Sequence, residues 1–228
     1  MAGHTGGRGG TVAQGRGPRR RDPDRKGRIL GAAAELISRN GYHVVGMADI
    51  GTASGIVGSG IYRHFPGKAA ILAALLGRVM ADLGDSASAI VEATTDDRAA
   101  VTALVRNHVR VAIQDRRILQ VYHREARNLP EDDLRRLRRS QRHYIEEWVA
   151  VVAPLRPDLS DAEARVLVHA AIGSVQSILF HNSGPALDRL TALLGAAAHS
   201  CLGIEPAEEP APERPATAEP AEELEQGA

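Results

Sequence analysis

The spacing of apolar residues is the feature that most restricts the fold of this chain. Between residues 22 and 202, apolar side chains recur every three to four positions, and no window alternates apolar with polar residues as a half-buried strand does. Asp22-Pro23 is typical of a helix start and Asn40-Gly41 of a helix end. The pattern therefore predicts an all-α fold of about nine helices.

Two segments outside this helical part have compositions that cannot form a core. Residues 1–21 are rich in Gly and Arg, and residues 203–228 repeat Glu, Pro and Ala. We predict a disordered basic arm and a disordered acidic tail. The net charge of zero conceals this difference, because residues 1–28 hold eight basic and two acidic side chains, whereas residues 203–228 hold eight Glu and one Arg. The basic arm suits a polyanionic partner.

Composition and motifs also exclude several classes of protein. The single cysteine, Cys201, rules out a disulfide framework, and no stretch reaches the ~20 apolar residues of a membrane span. The N-terminus has no apolar segment typical of a signal peptide, so we expect a cytoplasmic protein that does not bind a membrane. The scattered histidines and the lack of a phosphate-binding loop predict no catalytic residues, no metal site and no cofactor.

Residues 47–64 have the proportions of a helix-turn-helix. A short helix over about 47–54 is followed by a turn at Ser54-Gly55-Ile56 and by a second short helix that ends at His64. A helix this short must be held by its neighbours, but its N-terminal residues then fit a DNA major groove.

The sequence around this motif resembles the DNA-binding module of the TetR/AcrR family of one-component transcriptional regulators. Residues 29–68 fit the family pattern without a gap, through Gly41-Tyr42, Asp49-Ile50, Gly55-Ile56, Ile61-Tyr62-Arg63-His64-Phe65 and Lys68. The resemblance implies a DNA-binding domain over 22–68 and a ligand-binding and dimerisation domain over 69–202. It also implies a homodimer that binds a double-stranded operator and responds to a small-molecule effector, most simply as a repressor that the effector releases.

The resemblance implies a set of residues at the DNA interface. Tyr62, His64 and Lys68 match positions that contact phosphates, and the head of the second helix is the part that would read base edges. The basic arm could add phosphate or minor-groove contacts. The full predicted set is Gly46, Met47, Val57, Gly58, Ser59, Gly60, Tyr62, His64, Lys68, Arg19, Arg20 and Arg21.

Three departures from the family pattern make this module sparse in direct contacts. Val57 stands where the family usually has Ser or Thr, so the second helix lacks a side-chain N-cap, although Val57 could pack on a thymine methyl. Gly46 replaces a capping hydroxyl, which leaves only a backbone N–H for a phosphate. Gly51 and Ser54 replace alanines, and the glycine is expected to loosen its helix by up to ~1 kcal/mol.

The family resemblance implies dimerisation through the last two long helices, and their apolar faces are rich in small residues. The predicted contacts are Leu167, Ala171, Val175, Leu190, Leu194 and Ala197. The alternative is that these faces pack inside one subunit.

Polar residues on otherwise apolar helical stripes between about 96 and 181 predict an effector pocket. The predicted ligand-binding residues are His108, Tyr122, Arg124, Gln141, Trp148, His169 and Gln176. The segment 122–130 vaguely resembles a stretch of lipid-responsive regulators, so Arg124 could meet a CoA thioester or another carboxylate or phosphate. For each residue the alternative is a hydrogen-bonded core position without a ligand.

A second hypothesis belongs to a different class of protein. The sparse second helix is also compatible with a helical small-molecule-binding protein, or a cryptic enzyme, that retains a vestigial DNA-binding module.

Overall fold

A computed structural model describes residues 24–56, 58–181 and 184–208, and it confirms the all-α prediction. These residues form eight α-helices and no strand: α1 (Arg25–Asn40), α2 (Met47–Ala53), α3 (Lys68–Ala93), α4 (Asp97–Gln114), α5 (Arg116–Glu125), α6 (Glu131–Val152), α7 (Asp161–Gln176) and α8 (Leu187–Leu202). The second short helix of the predicted helix-turn-helix is a 3₁₀ helix over Gly58–Arg63, which we call the recognition segment. It accounts for the ninth of the predicted helices. Shorter 3₁₀ turns follow α5, α6 and α7 at Ala126–Asn128, Ala153–Leu155 and Ser177–Phe180.

The described residues divide into two compact units, with the boundary between Ile71 and Leu72. In the first unit, α1 buries Ile29, Ala33 and Ile37 on one face, as the helical period predicts. The helix stops at Gly41, whose φ of 82° is a conformation that favours glycine, and whose N–H bonds the Ile37 carbonyl.

In the second unit, α6 places Trp148 at full burial in the core, and α4 adds a continuous apolar face around Leu104. The paired helices α7 and α8 pack along each other and against α4. A capping box at Ser160 and Glu163 starts α7, because the Ser160 hydroxyl accepts from the Glu163 N–H while the Glu163 carboxylate accepts from the Ser160 N–H. Within the described ranges, no helix has both the length and the hydropathy of a membrane span.

The structure differs from the sequence prediction at residues 203–208, which were assigned to the disordered tail. Gly203 has a φ of 63° and ends α8, and Ile204 is buried. Arg156 donates from Nη1 to the Leu202 carbonyl at 2.6 Å, and the Ala207 N–H donates to Thr102 Oγ1 at 2.9 Å. Residues 203–208 therefore pack against the second unit. The predicted arm (1–21) and the rest of the predicted tail (209–228) lie outside the described residues.

The predicted dimerisation residues are partly corrected. Ala171, Val175 and Leu194 are buried inside the second unit, so they cannot form an exposed face. Leu167, Leu190 and Ala197 are half-buried. The exposed side of the two helices lies about one residue away and carries Val166, Ala170, Gly173, Leu187, Leu193 and Ala196. Small and apolar residues surround both helices, so spacing alone did not separate the inner face from the outer one.

Candidate DNA interface and effector cavity

The turn of the helix-turn-helix is closed by hydrogen bonds to one carbonyl group. The Gly51 carbonyl accepts from the Ile56 N–H at 2.8 Å and from the Ser54 hydroxyl at 3.0 Å. Gly55 takes a φ of 71°, and a Cβ on Gly51 would lie only 2.9 Å from the Ile56 carbonyl oxygen. Gly51 and Ser54, two of the residues that depart from the family pattern, thus both take part in a tight turn at the end of α2.

The recognition segment is held by two apolar anchors. Ile61 is 1% exposed and Phe65 is 7% exposed, so both belong to the core of the first unit. Tyr62 lies between them in sequence but is 57% exposed. The same turn therefore presents Tyr62 outwards, together with Ser59, while the half-buried His64 follows it. Gly58 and Gly60 belong to this 3₁₀ helix, and Val57 and Arg19–Arg21 lie outside the described residues.

The structure gives Lys68 a different role from the predicted phosphate contact. Its Nζ donates to the carbonyl oxygens of Tyr42 (2.6 Å), Val45 (2.7 Å) and His43 (3.3 Å) and lies 4.4 Å from the centre of the Tyr42 ring. Because an ammonium group has three hydrogens, these carbonyls occupy all of its donors. Lys68 therefore clamps the loop after α1 to the start of α3.

The backbone N–H of Gly46, which was predicted to contact a DNA phosphate, also has a partner within the protein. The Gly46 N–H donates to Asp49 Oδ2 at 2.8 Å, which is half of a capping box at the start of α2. Met47, the first residue of α2, is half-buried. Among the predicted DNA-contacting residues that the structure describes, Ser59 and Tyr62 of the recognition segment are the exposed ones.

The second unit contains a cavity of about 200 Å³ between α3, α4, α5, α6 and α7. Five of the seven predicted ligand-binding residues line it: His108, Tyr122, Gln141, His169 and Gln176. Trp148 does not line it, but its ring packs edge-on against His108 at 6.2 Å between centroids. Arg124 is exposed and is not among the lining residues, so its predicted contact with a carboxylate or with the phosphates of CoA stays a prediction for a group outside the cavity.

Two polar lining residues, His123 and Tyr144, escaped the sequence prediction, and both belong to a hydrogen-bonded chain of four side chains that we call the relay. His108 Nδ1 lies 2.9 Å from the Tyr144 hydroxyl, and His108 Nε2 lies 3.3 Å from Gln176 Nε2. Gln176 Oε1 in turn lies 3.0 Å from His123 Nε2. Tyr144 shares a helical face with Gln141 and Trp148, so the spacing of three and four residues could have revealed it.

Burial sets the protonation state of the relay. It lowers the pKa of His108 to about 4, with a smaller contribution from His123, so this imidazole is neutral at pH 7. Burial likewise raises the pKa of the Tyr144 hydroxyl far above its usual value. The inner end of the relay is therefore uncharged.

A larger cavity of about 430 Å³ lies between α4, α8 and residues 205–206. None of the predicted ligand-binding residues lines it. Its α8 wall includes Ala192 and Ala196, which are exposed residues of the helix that carries the predicted dimerisation face. Among the described residues, no group of three His, Cys, Asp or Glu side chains is placed to hold a metal ion.

A helix-turn-helix in one unit and a cavity with converging polar groups in the other define the class of one-component regulators. Comparison with known proteins agrees with this class. Residues 29–75 match the family of bacterial regulatory proteins, tetR family, and residues 94–180 match the tetracyclin repressor-like C-terminal domain. The chain belongs to the TetR family of transcriptional regulators. Members of this family act as regulators rather than as enzymes.

Curated relatives and solved structures support the same assignment. The chain is 33% identical over 90 residues to the transcriptional activator FasR of Mycolicibacterium smegmatis, covering 40% of this chain and 41% of FasR. It is 26% identical over 129 residues to the transcriptional repressor KstR2 of Rhodococcus jostii, covering 56% of this chain and 63% of KstR2. The matched stretches thus span less than two thirds of either relative.

Solved structures share the fold at low identity. A TetR-family regulator from Bordetella parapertussis superposes with a TM-score of 0.72 at 21% identity, covering 79% of this chain and 95% of that one. AibR in complex with isovaleryl coenzyme A and operator DNA superposes with a TM-score of 0.64 at 16% identity, covering 75% and 97%.

We predict that Lys68→Met destabilises the first unit, because three carbonyl oxygens lose a charged donor. The expected loss in the free energy of unfolding is roughly 2 kcal/mol. Tyr62→Phe should leave stability unchanged, since it alters an exposed ring. Native-state hydrogen exchange of the α1 amides reports this unit specifically. Equal protection of α1 in wild type and Lys68→Met would contradict the clamp.

We also predict that His108 makes stability depend on pH. The unfolded chain protonates this residue near pH 6.5, whereas the folded protein does so only near pH 4. The unfolded state therefore binds more protons in this window, and the free energy of unfolding falls by about 3 kcal/mol as the pH drops from 7 to 4. Urea denaturation across this range measures the effect. His108→Asn should remove that part of the slope, and an unchanged slope would contradict a neutral buried His108.

Proposed function

We propose that this protein is a homodimeric repressor that binds a palindromic operator and releases it when a small-molecule effector enters the cavity beside His108. The observation that carries the proposal is the combination of an outward-facing recognition segment with a separate cavity in which five of the predicted polar residues converge. The operator-bound AibR complex is a precedent for the fold with both kinds of ligand.

The DNA side of the proposal assigns the contacts to the recognition segment and the arm. The Tyr62 hydroxyl can donate to a phosphate, and we assign the reading of base edges to Gly58, Ser59 and Gly60 of the recognition segment, with Val57 as a further candidate from the sequence. His64 adds a second side chain that can donate to phosphate. Arg19, Arg20 and Arg21 would supply the salt-dependent part of the affinity. Lys68 supports this surface from behind and does not touch DNA.

The proposal requires two copies, because one six-residue segment makes few contacts. A two-fold dimer reads half-sites about one helical turn (~34 Å) apart. The exposed apolar face of α7 and α8 supports dimerisation, since Val166 is 65% exposed and Leu193 is 41% exposed beside small residues that permit close approach. We propose this face, rather than the buried positions at Ala171, Val175 and Leu194, as the interface.

We predict that Val166→Arg converts the dimer to a monomer, because it places a charge in a buried apolar interface. Val44→Arg is the matched control, since Val44 is also an exposed valine (77%) but lies in the first unit. Sedimentation equilibrium gives the mass of each variant. A dimeric Val166→Arg protein, or a monomeric Val44→Arg protein, would overturn the proposed face.

The operator is best found by selecting bound duplexes from a random pool at about physiological salt, which suppresses non-specific binding. We expect a palindrome with half-sites one turn apart. Tyr62→Phe should weaken binding of the selected duplex by roughly two- to tenfold, the loss of one hydrogen bond, while Tyr122→Phe leaves it unchanged. Deletion of residues 1–21 should lower the slope of log affinity against log salt.

The selection of bound duplexes also tests the second hypothesis, a helical small-molecule-binding protein or cryptic enzyme. If folded, dimeric protein enriches no sequence, with or without added effector, the protein is a helical small-molecule binder with a vestigial DNA-binding module. The effector can change DNA affinity only through its different affinity for the two conformations. The AibR complex supports an acyl-CoA or another lipid-derived effector.

A further inference from the structure

We infer that the cavity receives an uncharged carbonyl group on a compact apolar body and that the Tyr144 hydroxyl donates a hydrogen bond to the carbonyl oxygen. The inference rests on the proposed function, which makes this cavity the effector site, and it specifies the chemistry of the group that enters.

The charge of the cavity wall supports an uncharged guest. Among the described residues that line it, none is Asp, Glu, Lys or Arg, and the polar ones are histidines, glutamines and tyrosines. A carboxylate at the buried end of the cavity, beside His108 and Tyr144, would lose its hydration where the described lining offers no Lys or Arg, which is costly for a buried charge. His108 does not supply a cationic partner, because burial keeps its pKa at about 4.

The orientation of the Gln176 amide sets the direction of hydrogen bonding in the relay. In the orientation that the structure has, Gln176 Nε2 faces His108 Nε2 and donates to it, so the proton of the neutral imidazole lies on Nδ1. Nδ1 then donates to the Tyr144 oxygen at 2.9 Å. At the outer end, His123 Nε2 donates to Gln176 Oε1.

This direction leaves the hydroxyl hydrogen of Tyr144 without an acceptor in the relay. The indole nitrogen of Trp148, whose ring packs against Tyr144 at 6.2 Å between centroids, can only donate and cannot accept it. Tyr144 is buried and lines the cavity. Because a buried donor without an acceptor is destabilising, a guest with an accepting oxygen gains from this position.

The size of the cavity limits the guest. A volume of about 200 Å³ equals roughly seven water molecules at ~30 Å³ each, and lies below the ~300–1,000 Å³ of sites for drug-sized ligands. The apolar lining from Met80, Leu83, Leu119, Ile145 and Ile172 fits a short aliphatic or a single aromatic group. An entire coenzyme A moiety does not fit inside.

Two sources share this chemistry: a free ketone or ester, and the acyl end of a thioester whose polar part stays outside. Four probes separate them and test the charge rule. Acetophenone carries an uncharged carbonyl, cumene has the same shape without oxygen, and benzoate has a similar size with a negative charge. Benzoyl-CoA presents the carbonyl as a thioester.

The chain offers a local reporter, because Trp148 is its only tryptophan and packs against both His108 and Tyr144. Titration of its indole ¹H–¹⁵N resonance in the full-length protein measures cavity binding without any DNA. A failure of operator binding would therefore leave this test unaffected.

We expect acetophenone to shift the Trp148 resonance and to bind two- to tenfold more tightly than cumene, the effect of one hydrogen bond. Benzoate should bind at least tenfold more weakly than acetophenone. Tyr144→Phe should reduce acetophenone affinity to that of cumene while cumene affinity stays unchanged, which shows that the variant cavity is intact.

The thioester arm identifies the source. Tyr144-dependent binding of benzoyl-CoA indicates a thioester effector, and binding of acetophenone alone indicates a free carbonyl compound. Three results would overturn the inference: benzoate binding as tightly as acetophenone, equal acetophenone affinity in wild type and Tyr144→Phe, or no shift of Trp148 with any uncharged probe.

Discussion

The DNA-binding surface depends on the ammonium group of Lys68 and its three carbonyl partners. A six-residue 3₁₀ helix cannot maintain its own shape, so the recognition segment must be held by contacts outside it. Ile61 and Phe65 supply the apolar anchors, and Lys68 fixes the loop from Tyr42 to Val45 that leads into α2. The residues that match the family pattern therefore divide into two kinds. Tyr62 is exposed, whereas Ile61, Phe65 and Lys68 hold the surrounding backbone in place.

The effector cavity follows from a different constraint, the cost of burying polar groups. His108 and Tyr144 are both buried, and the relay gives each imidazole nitrogen of His108 a partner and gives the Tyr144 oxygen a donor. The outer members of the relay lie on α5 and at the last residue of α7, where the helix gives way to a 3₁₀ turn. A guest that bonds Tyr144 would thus act on a chain of side chains from four helices, α4 to α7, which is the kind of linkage that a ligand-dependent regulator needs.

Local spacing was sufficient to predict the helical class, the helix-turn-helix and five residues of the cavity, since each depends on periods of three to four residues. The role of Lys68 was not predictable, because its partners lie more than twenty positions earlier and are backbone atoms. Three of the six predicted dimerisation residues proved to be buried, since α7 and α8 carry small residues on every side. Tyr144 and His123 were missed although Tyr144 lies in register with Gln141 and Trp148. Arg124 was predicted from a resemblance to lipid-responsive regulators, and its exposed side chain does not line the cavity.

The most direct test of the account is reciprocity between the two sites. The Trp148 titration with acetophenone should be repeated with the selected operator duplex bound. If the cavity controls DNA binding, the duplex must weaken acetophenone binding by the same factor by which acetophenone weakens duplex binding. An acetophenone affinity that is identical with and without the duplex would contradict the account, because the two units would then function independently.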